Sequence, residues 1–350
     1  MALIAATPLA RAQYTFGTQQ QSTPSASTTY NSGTGAFQYT DSANLTDDDA
    51  LLPLTGSAAN LVTTSTGWTA SINVNLSARS MTSTSSDANI YTPDNGVAIG
   101  ILATVGSDSY LVSISLAQDN DTGGTGNTDT PNYFYGTMAR FEADKNGVGQ
   151  STTPLGSSVT QMGTSCLELS GGTSSTISSQ SISAATGVVT ISYNASTNIV
   201  TGYYNGTPVG SYSIASFGSN QLTLGVGGYS GEGVNVTAGT DTATNFFVDP
   251  FSGTVTATGL SKSPWFGHYS ISSYPVVYQY NLGYEYVFPV NGGVGGVYLY
   301  DYTSGHFWYT QASYFPYLYD SSLNTFLYYY QANTPHRHFY DFGTGQVITL

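Results

Sequence analysis

The chain has 350 residues, enough for two domains with cores of their own, yet only 7% of them are charged, against about 25% in an ordinary globular protein. Six are Lys or Arg and the net charge is −14. That balance disfavours a nucleic-acid partner, because phosphate binding needs clustered basic side chains that release counterions, and it disfavours an anionic membrane surface for the same reason. In chain order, Ala2-Leu3-Ile4-Ala5-Ala6 is a short apolar run, and Ala10-Arg11-Ala12 before Gln13 has the small-x-small pattern of a cleavage site. Residues 1–12 are therefore expected to be a signal peptide, with the missing basic leader read as a truncated start or an initiation codon further upstream. Neutral polar composition and the absence of a transmembrane segment of ~18 apolar residues agree with a secreted or cell-surface protein. The lone Cys166 has no disulfide partner and no ligand spacing around it, and is expected to be a small core residue.

Residues 13–36 hold little that could be buried and read as a mobile lead-in. From Phe37 onward, short alternating runs appear. In Trp68-Thr69-Ala70-Ser71-Ile72-Asn73-Val74-Asn75-Leu76, Trp68, Ala70, Ile72, Val74 and Leu76 share one face, as in an antiparallel strand buried on one side. Residues 97–105 and 110–116 are strand-like around the turn Gly106-Ser107-Asp108-Ser109. The pattern returns at 188–193, 199–204, 222–228 and 245–248, with a hairpin signal at Asn205-Gly206. Long helical periodicity is absent. The expectation is an all-β chain, with a jelly-roll-like antiparallel β-sandwich over residues 37–249 and a Gly/Ser/Thr/Pro linker over 250–263.

Residues 264–350 form the second expected domain, a small aromatic β-hairpin repeat module. From Trp265 onward the chain holds 17 of the 29 Tyr, two of the three Trp and all four His. Tyr274-Pro275-Val276-Val277-Tyr278 matches Phe315-Pro316-Tyr317-Leu318-Tyr319, and Tyr300-Asp301-Tyr302 with Gly305 matches Tyr340-Asp341-Phe342 with Gly345. The period is about 40 residues, which implies stacked supersecondary units. Tyr284/Tyr286, Tyr298/Tyr300/Tyr302 and Tyr328/Tyr330 are two apart, which is strand alternation.

Thr190-Ile191-Ser192-Tyr193-Asn194, Thr201-Gly202-Tyr203-Tyr204-Asn205-Gly206, Val209-Gly210-Ser211, residues 222–228 and Asn245-Phe246 resemble the later strands of concanavalin A-like or laminin-G-like sandwiches. The C-terminal module resembles aromatic repeats at the ends of secreted bacterial proteins, and more distantly the aromatic hairpins of choline-binding and other wall-binding repeats. It lacks the regular ~20-residue unit of the latter, so their ligand does not carry over. Catalytic members of the concanavalin-like class carry a Glu-x-Asp-x-x-Glu strand. Here Phe141-Glu142-Ala143-Asp144-Lys145-Asn146-Gly147 stops after Glu-x-Asp, which removes the acid/base residue and suggests that Glu142 and Asp144 are turn residues.

Other constellations have two readings each. The loop with Asp119, Asp121, Asn127 and Asp129 gathers hard oxygen donors and could hold calcium, or it is a solvated acidic connection. Asp47-Asp48-Asp49 reads as a helix N-cap or a surface turn. His336-x-His338 could face a metal, but Arg337 places a cation between them, and turn histidines are the simpler reading. The aromatic stripe either fills thin hairpin layers or presents rings to sugars, whose C–H faces stack on aromatic planes. The leading expectation is a non-catalytic protein that binds a polysaccharide or cell-surface glycan through Trp265, Tyr284, Tyr286, Trp308 and Tyr328. The alternative is a self-associating structural subunit of an extracellular filament, coat or matrix, and a glycoside hydrolase is the least favoured.

Overall fold

A computed structural model describes residues 14–21, 27–41, 48–83, 94–120, 133–145, 160–174, 179–218, 222–230, 234–236, 239–257, 260–273, 275–290, 296–330 and 336–350. The expected signal peptide at 1–12 lies outside them. Among the described residues the chain is antiparallel β throughout, with short 3-10 turns at Ser57–Leu61 and Ala215–Phe217 and no α-helix. It divides into two compact units, residues 1–65 with 70–247 and residues 66–69 with 248–350.

The first unit is a β-sandwich. Among the described residues, one sheet runs Thr15–Phe16, Asp48–Thr55, Leu222–Ser230, Asp94–Val105, Asp108–Asn120, Tyr133–Lys145, Thr160–Ser174, with Gln20–Gln21 beside Asp48–Thr55. A second runs Thr207–Ser213, Ile199–Tyr204, Ala185–Asn194, Trp68–Leu76, Gly239–Val248, Ala36–Asp41, Ser27–Asn31, and a small third sheet pairs Ser179–Ile182, Arg79–Ser83 and Val234–Val236. Ile72, Val74 and Leu76 are buried on one face while Asn75 is exposed, as their alternation requires. Ile99 and Ile101, with Val112, Ile114 and Leu116, close the core from the first sheet. Between the two sheets, glycine replaces bulk at Gly202. A Cβ on Gly202 would lie 2.6 Å from the Phe141 ring and 2.9 Å from Ile114. The Asn205-Gly206 hairpin forms as its sequence demands, with both residues at positive φ.

Several expectations change here. Residues 13–36 are not simply a lead-in, since Thr15–Phe16, Gln20–Gln21 and Ser27–Asn31 pair into the two sheets. Asp48 and Asp49 begin a strand rather than cap a helix, because Ala50, Leu52 and Leu54 carry the alternation of a core-facing strand. Glu142 and Asp144 lie within the strand Tyr133–Lys145, where Glu142 pairs with Arg140 at 2.6 Å. Cys166 is half-buried against Ala117 and Met138.

The second unit is a meander in strict chain order. Among the described residues its eleven strands are Thr254–Ala257, Leu260–Ser263, Gly267–Ser273, Val276–Gln279, Gly283–Pro289, Val297–Asp301, Phe307–Thr310, Tyr317–Asp320, Thr325–Tyr330, His338–Asp341 and Gln346–Thr349. The stretch 250–263 therefore supplies the first hairpin of this sheet instead of a linker, because Val255 and Ser261 pair across it. Val277, Val287, Leu299, Trp308, Leu318, Leu327 and Phe339 face inward and are buried. Trp308 and Phe339 sit three strands apart yet meet at 5.5 Å, so the sheet rolls over its own inner face.

One turn chemistry repeats along this sheet. The inward-facing last residue of a strand accepts hydrogen bonds from backbone N–H groups two or three residues ahead, and the residue four ahead has positive φ. Ser263 accepts from Trp265 and Phe266 and is followed by Gly267. Gln279 accepts from Asn281 and Leu282, ahead of Gly283. Asp301 accepts from Ser304, ahead of Gly305; Asp320 from Ser322 and Leu323, ahead of Asn324; Asp341 from Gly343, ahead of Gly345. Only Gly and Asn adopt that left-handed conformation at little cost. These anchors recur about every 20 residues, half the period read from the sequence.

Gly202→Ala should cost about 1–3 kcal/mol, because the methyl group must push Phe141 or Ile114 out of a packed rotamer. Chemical denaturation of the variant against the parent chain measures it.

Candidate ligand-binding face

Strand alternation divides the C-terminal sheet sharply. The inner positions close the core, and the outer positions carry a nearly unbroken aromatic layer. Cross-strand pairing sets these outer rings opposite one another: Tyr278 faces Tyr284, Tyr286 faces Tyr300, and Phe288 faces Tyr298. Tyr298 then faces Tyr309, Tyr309 faces Tyr319, and Tyr319 faces Phe326, while Tyr328 lies between Tyr317 and Tyr340. The rings touch at centroid distances such as 4.8 Å (Tyr278–Tyr284), 5.1 Å (Tyr298–Tyr309) and 5.0 Å (Tyr317–Tyr328). Cross-strand aromatic pairs of this kind contribute roughly 0.2–1 kcal/mol each, so the layer stabilises the sheet while staying open to water. Among the described residues of strands 276–279 through 338–341, every Asp and Glu is buried on the inner side. The outer face there presents rings and tyrosine hydroxyls, with the His338 imidazole beside them.

The residues picked from sequence fall in different places. Tyr284 is 58% exposed on the outer face, and Tyr286 and Tyr328 are half-buried members of the same layer. Trp265 is half-buried against Phe251, Phe266 and Phe315, so most of its ring is occupied by packing. Trp308 is a correction: it is fully buried on the inner face. Its indole N–H donates to Asp320 at 2.9 Å, and the Arg337 guanidinium lies over its ring, so it has no surface left for a sugar. The face also includes Tyr280, Tyr302 and Phe342, each more than half exposed and each directly following a turn anchor. Their signal in the sequence is that position after the buried Gln or Asp.

Of the expected calcium donors, Asp121, Asn127 and Asp129 lie outside the described residues, and Asp119 is the penultimate residue of the strand Asp108–Asn120, opposite Asp94. Among the described residues no three His, Cys, Asp or Glu side chains gather as a metal site. His306 instead bonds Asp320 at 2.7 Å, and His338 meets Thr349 at 3.1 Å.

Beneath the face lies a polar cluster that sequence reading missed. Glu285 and Asp301 oppose each other on neighbouring strands, both fully buried. Arg337 donates to both Asp301 oxygens at 2.7 Å and to the Leu282 carbonyl at 2.7 Å. Burial would raise the Asp301 carboxyl, but the bonds from Arg337 and Ser304 outweigh it and hold it below its usual value. Burial, then the charge of Asp301, push Glu285 well above the usual range, against the pull of Arg337. A hydrolase needs two carboxyl groups flanking a bound substrate, whereas this pair is sealed inside the core. Asp249 is a buried carboxyl outside this cluster. Burial pushes it up to about 7, outweighing the hydrogen bonds from Tyr269, Phe251 and Gly253.

No protein-family model matches the sequence, and no curated protein matches it. Solved structures with some similarity include the potassium-bound carbohydrate recognition domain of Emp46p, at 9% identity over 67% of this chain and 88% of that one, with a TM-score of 0.33. The acidic lectin of winged bean in complex with methyl-α-D-galactose is 11% identical over 65% of this chain and 92% of its own, TM-score 0.29. The PL7 alginate lyase AlyA1 from Zobellia galactanivorans is 14% identical over 67% and 93%, TM-score 0.27. Similarity at this level bears on neither ligand nor activity.

Trp308→Ala should destabilise the fold by about 3–5 kcal/mol, while Tyr284→Ala should cost less than about 1 kcal/mol. Denaturation of the two variants separates core from surface. The pH dependence has a definite sign as well. A folded-state pKa of about 7 for Asp249, above its ordinary 3.8, means that the folded state holds this proton more tightly than the unfolded chain. Its contribution is full below about pH 4 and is lost as pH rises toward 7; Glu285 acts in the same direction. Thermal melts at pH 4, 5.5 and 7 should show Asp249→Asn with a flatter decline than the parent.

Proposed function

We propose that the C-terminal sheet is a non-catalytic glycan-binding module that attaches a secreted or cell-surface protein to a polysaccharide. The observation that carries this reading is the exposed, uncharged aromatic layer over a core that is already complete on the other face. Rings such as Tyr280, Tyr284 and Tyr302 are not needed to fill the interior, since Val277, Leu299, Trp308 and Leu327 do that. Holding so much aromatic surface in water is costly unless a ligand covers it. A pyranose suits the face because its C–H faces bury against rings while its hydroxyls bond tyrosine O–H groups at the rim. A net charge of −14 with six basic residues also argues against a polyanion as the ligand. No helix among the described residues is long and apolar enough to cross a membrane.

Intrinsic fluorescence of the full chain titrated with a panel of polysaccharides tests the reading. A saturable change is expected, and Tyr280→Ser with Tyr284→Ser should weaken it by about tenfold or more, the loss of one or two stacking contacts, without lowering the melting temperature appreciably. Silence across the panel, with light scattering that reports assemblies in the absence of glycan, would point instead to a structural subunit that covers this face with further copies of itself.

A further inference from the structure

We propose that three tyrosine pairs on the outer face of the C-terminal sheet are sites of oxidative coupling, at which a one-electron oxidant joins two rings of one chain into dityrosine. The pairs are Tyr278–Tyr284, Tyr298–Tyr309 and Tyr317–Tyr328. The members of each lie directly opposite one another across a single hairpin, built on Gln279, Asp301 and Asp320 in turn. Their centroids are 4.8, 5.1 and 5.0 Å apart and their planes are inclined by 57°, 50° and 58°. In a coupled pair the rings lie edge to edge with centroids little closer than this, so the bond can form without rearranging the strands. One ring of each pair is open to an oxidant, with Tyr284 58%, Tyr298 46% and Tyr317 43% exposed. The chemistry involves no glycan and is independent of the reading above.

Strand register alone does not select these positions; contact between two phenol rings does. Tyr286 faces Tyr300 in register, yet the Tyr286 ring leans on Phe288 at 4.5 Å and the Tyr300 ring on Phe307 at 4.9 Å. Tyr319 faces Tyr309 but lies against Phe326 at 5.3 Å, with its hydroxyl donating to Asn324 at 2.7 Å. A phenylalanine has no phenol to oxidise and ends the reaction there. Neighbours along one strand, Tyr278–Tyr280, Tyr300–Tyr302 and Tyr328–Tyr330, meet edge to face at 66°, 81° and 85° and must turn further before two ring edges meet. In the sandwich, Tyr30 rests on Phe16 and Phe37, and Tyr110 on Phe217. A thiol would quench a phenoxyl radical, and the single cysteine, Cys166, belongs to that other unit.

The step balances with hydrogen peroxide, used by a haem peroxidase, as the oxidant. Each phenol gives up one electron and one proton, and the two phenoxyl radicals pair their electrons in a new bond between ring carbons adjacent to the hydroxyls. The hydrogen on each of those carbons then shifts to the oxygen and restores both phenols. The peroxide takes up the two electrons and two protons and leaves as two waters. Within a hairpin the partner ring is already in contact, which gives it an effective concentration far above that of a second chain. A net charge of −14 also keeps copies apart. The product is a covalent rung across each hairpin, which restricts the unfolded chain as a disulfide would, in a module that contains no cysteine.

The test is oxidation of the full chain with a haem peroxidase and hydrogen peroxide, read by dityrosine fluorescence, denaturing electrophoresis and mass spectrometry of peptic peptides. Peptides that hold the three pairs, each lighter than the unlinked sequence by two hydrogens, are expected to carry most of the dityrosine. The chain should still migrate as a monomer, and emission per chain should stay constant over about a tenfold dilution, as an intramolecular reaction requires. Tyr284→Phe, Tyr309→Phe and Tyr328→Phe keep a ring at each position, so the layer stays packed, and each should remove its own linked peptide and lower the emission. Melting temperatures close to that of the parent chain confirm that the sheet is intact in each comparison. No dityrosine, links chiefly between chains, links chiefly at other tyrosines, or emission that survives all three substitutions would overturn the inference.

Discussion

The C-terminal sheet depends on a small set of buried polar side chains that hold its turns. A four-residue strand buries only two side chains on its inner face, too few to define a hairpin by apolar packing. At Gln279, Asp301, Asp320 and Asp341 one of those inward positions is given to an acceptor that satisfies the N–H groups of the turn. Buried backbone donors left without partners would each cost on the order of 1–3 kcal/mol, so the anchors remove a penalty as much as they add a bond. The same device appears in the sandwich, where Asn31 accepts from Gly33 and Thr34 ahead of Gly35, and Asn194 from Ser196 ahead of Asn198.

Burying these carboxyl groups brings demands of its own. Asp320 bonds His306 and the Trp308 indole as well as its turn, and Asp301 is neutralised by Arg337, which also reaches the Leu282 carbonyl. Arg337 thus ties the strand that begins at His338 to the turn after Gln279, far back in the meander. Its guanidinium is flat enough to lie over Trp308 while donating in the plane to Asp301, which a lysine ammonium could not do. Glu285, opposite Asp301, has no such ion pair, and burial with the neighbouring charge of Asp301 pushes its carboxyl well above the usual range.

With the inner face sealed in this way, the outer face is free to carry aromatic rings that packing does not require. The alternation that sends Leu299 inward sends Tyr298 and Tyr300 outward, and the pattern holds on successive strands. Function, on the reading proposed here, is confined to the side of the sheet that contributes least to closing the core.

Local chemistry in the sequence determined the all-β class, the strand from Trp68 to Leu76, the Asn205-Gly206 turn and the alternation of Tyr298, Tyr300 and Tyr302, because each depends on neighbours a few residues away. Tertiary structure decided which face of each strand is inside. Trp308 and Tyr284 look alike as aromatic strand residues, and only the roll of the sheet, which brings Phe339 and Arg337 to Trp308, separates a core indole from an open ring. The strands at 254–263 read as a linker because, short and polar, they acquire their structure from pairing with the strands that follow. The meeting of Glu285, Asp301 and Arg337 was not legible, since it joins strands separated by up to 52 positions and depends on long-range closure that no local pattern encodes.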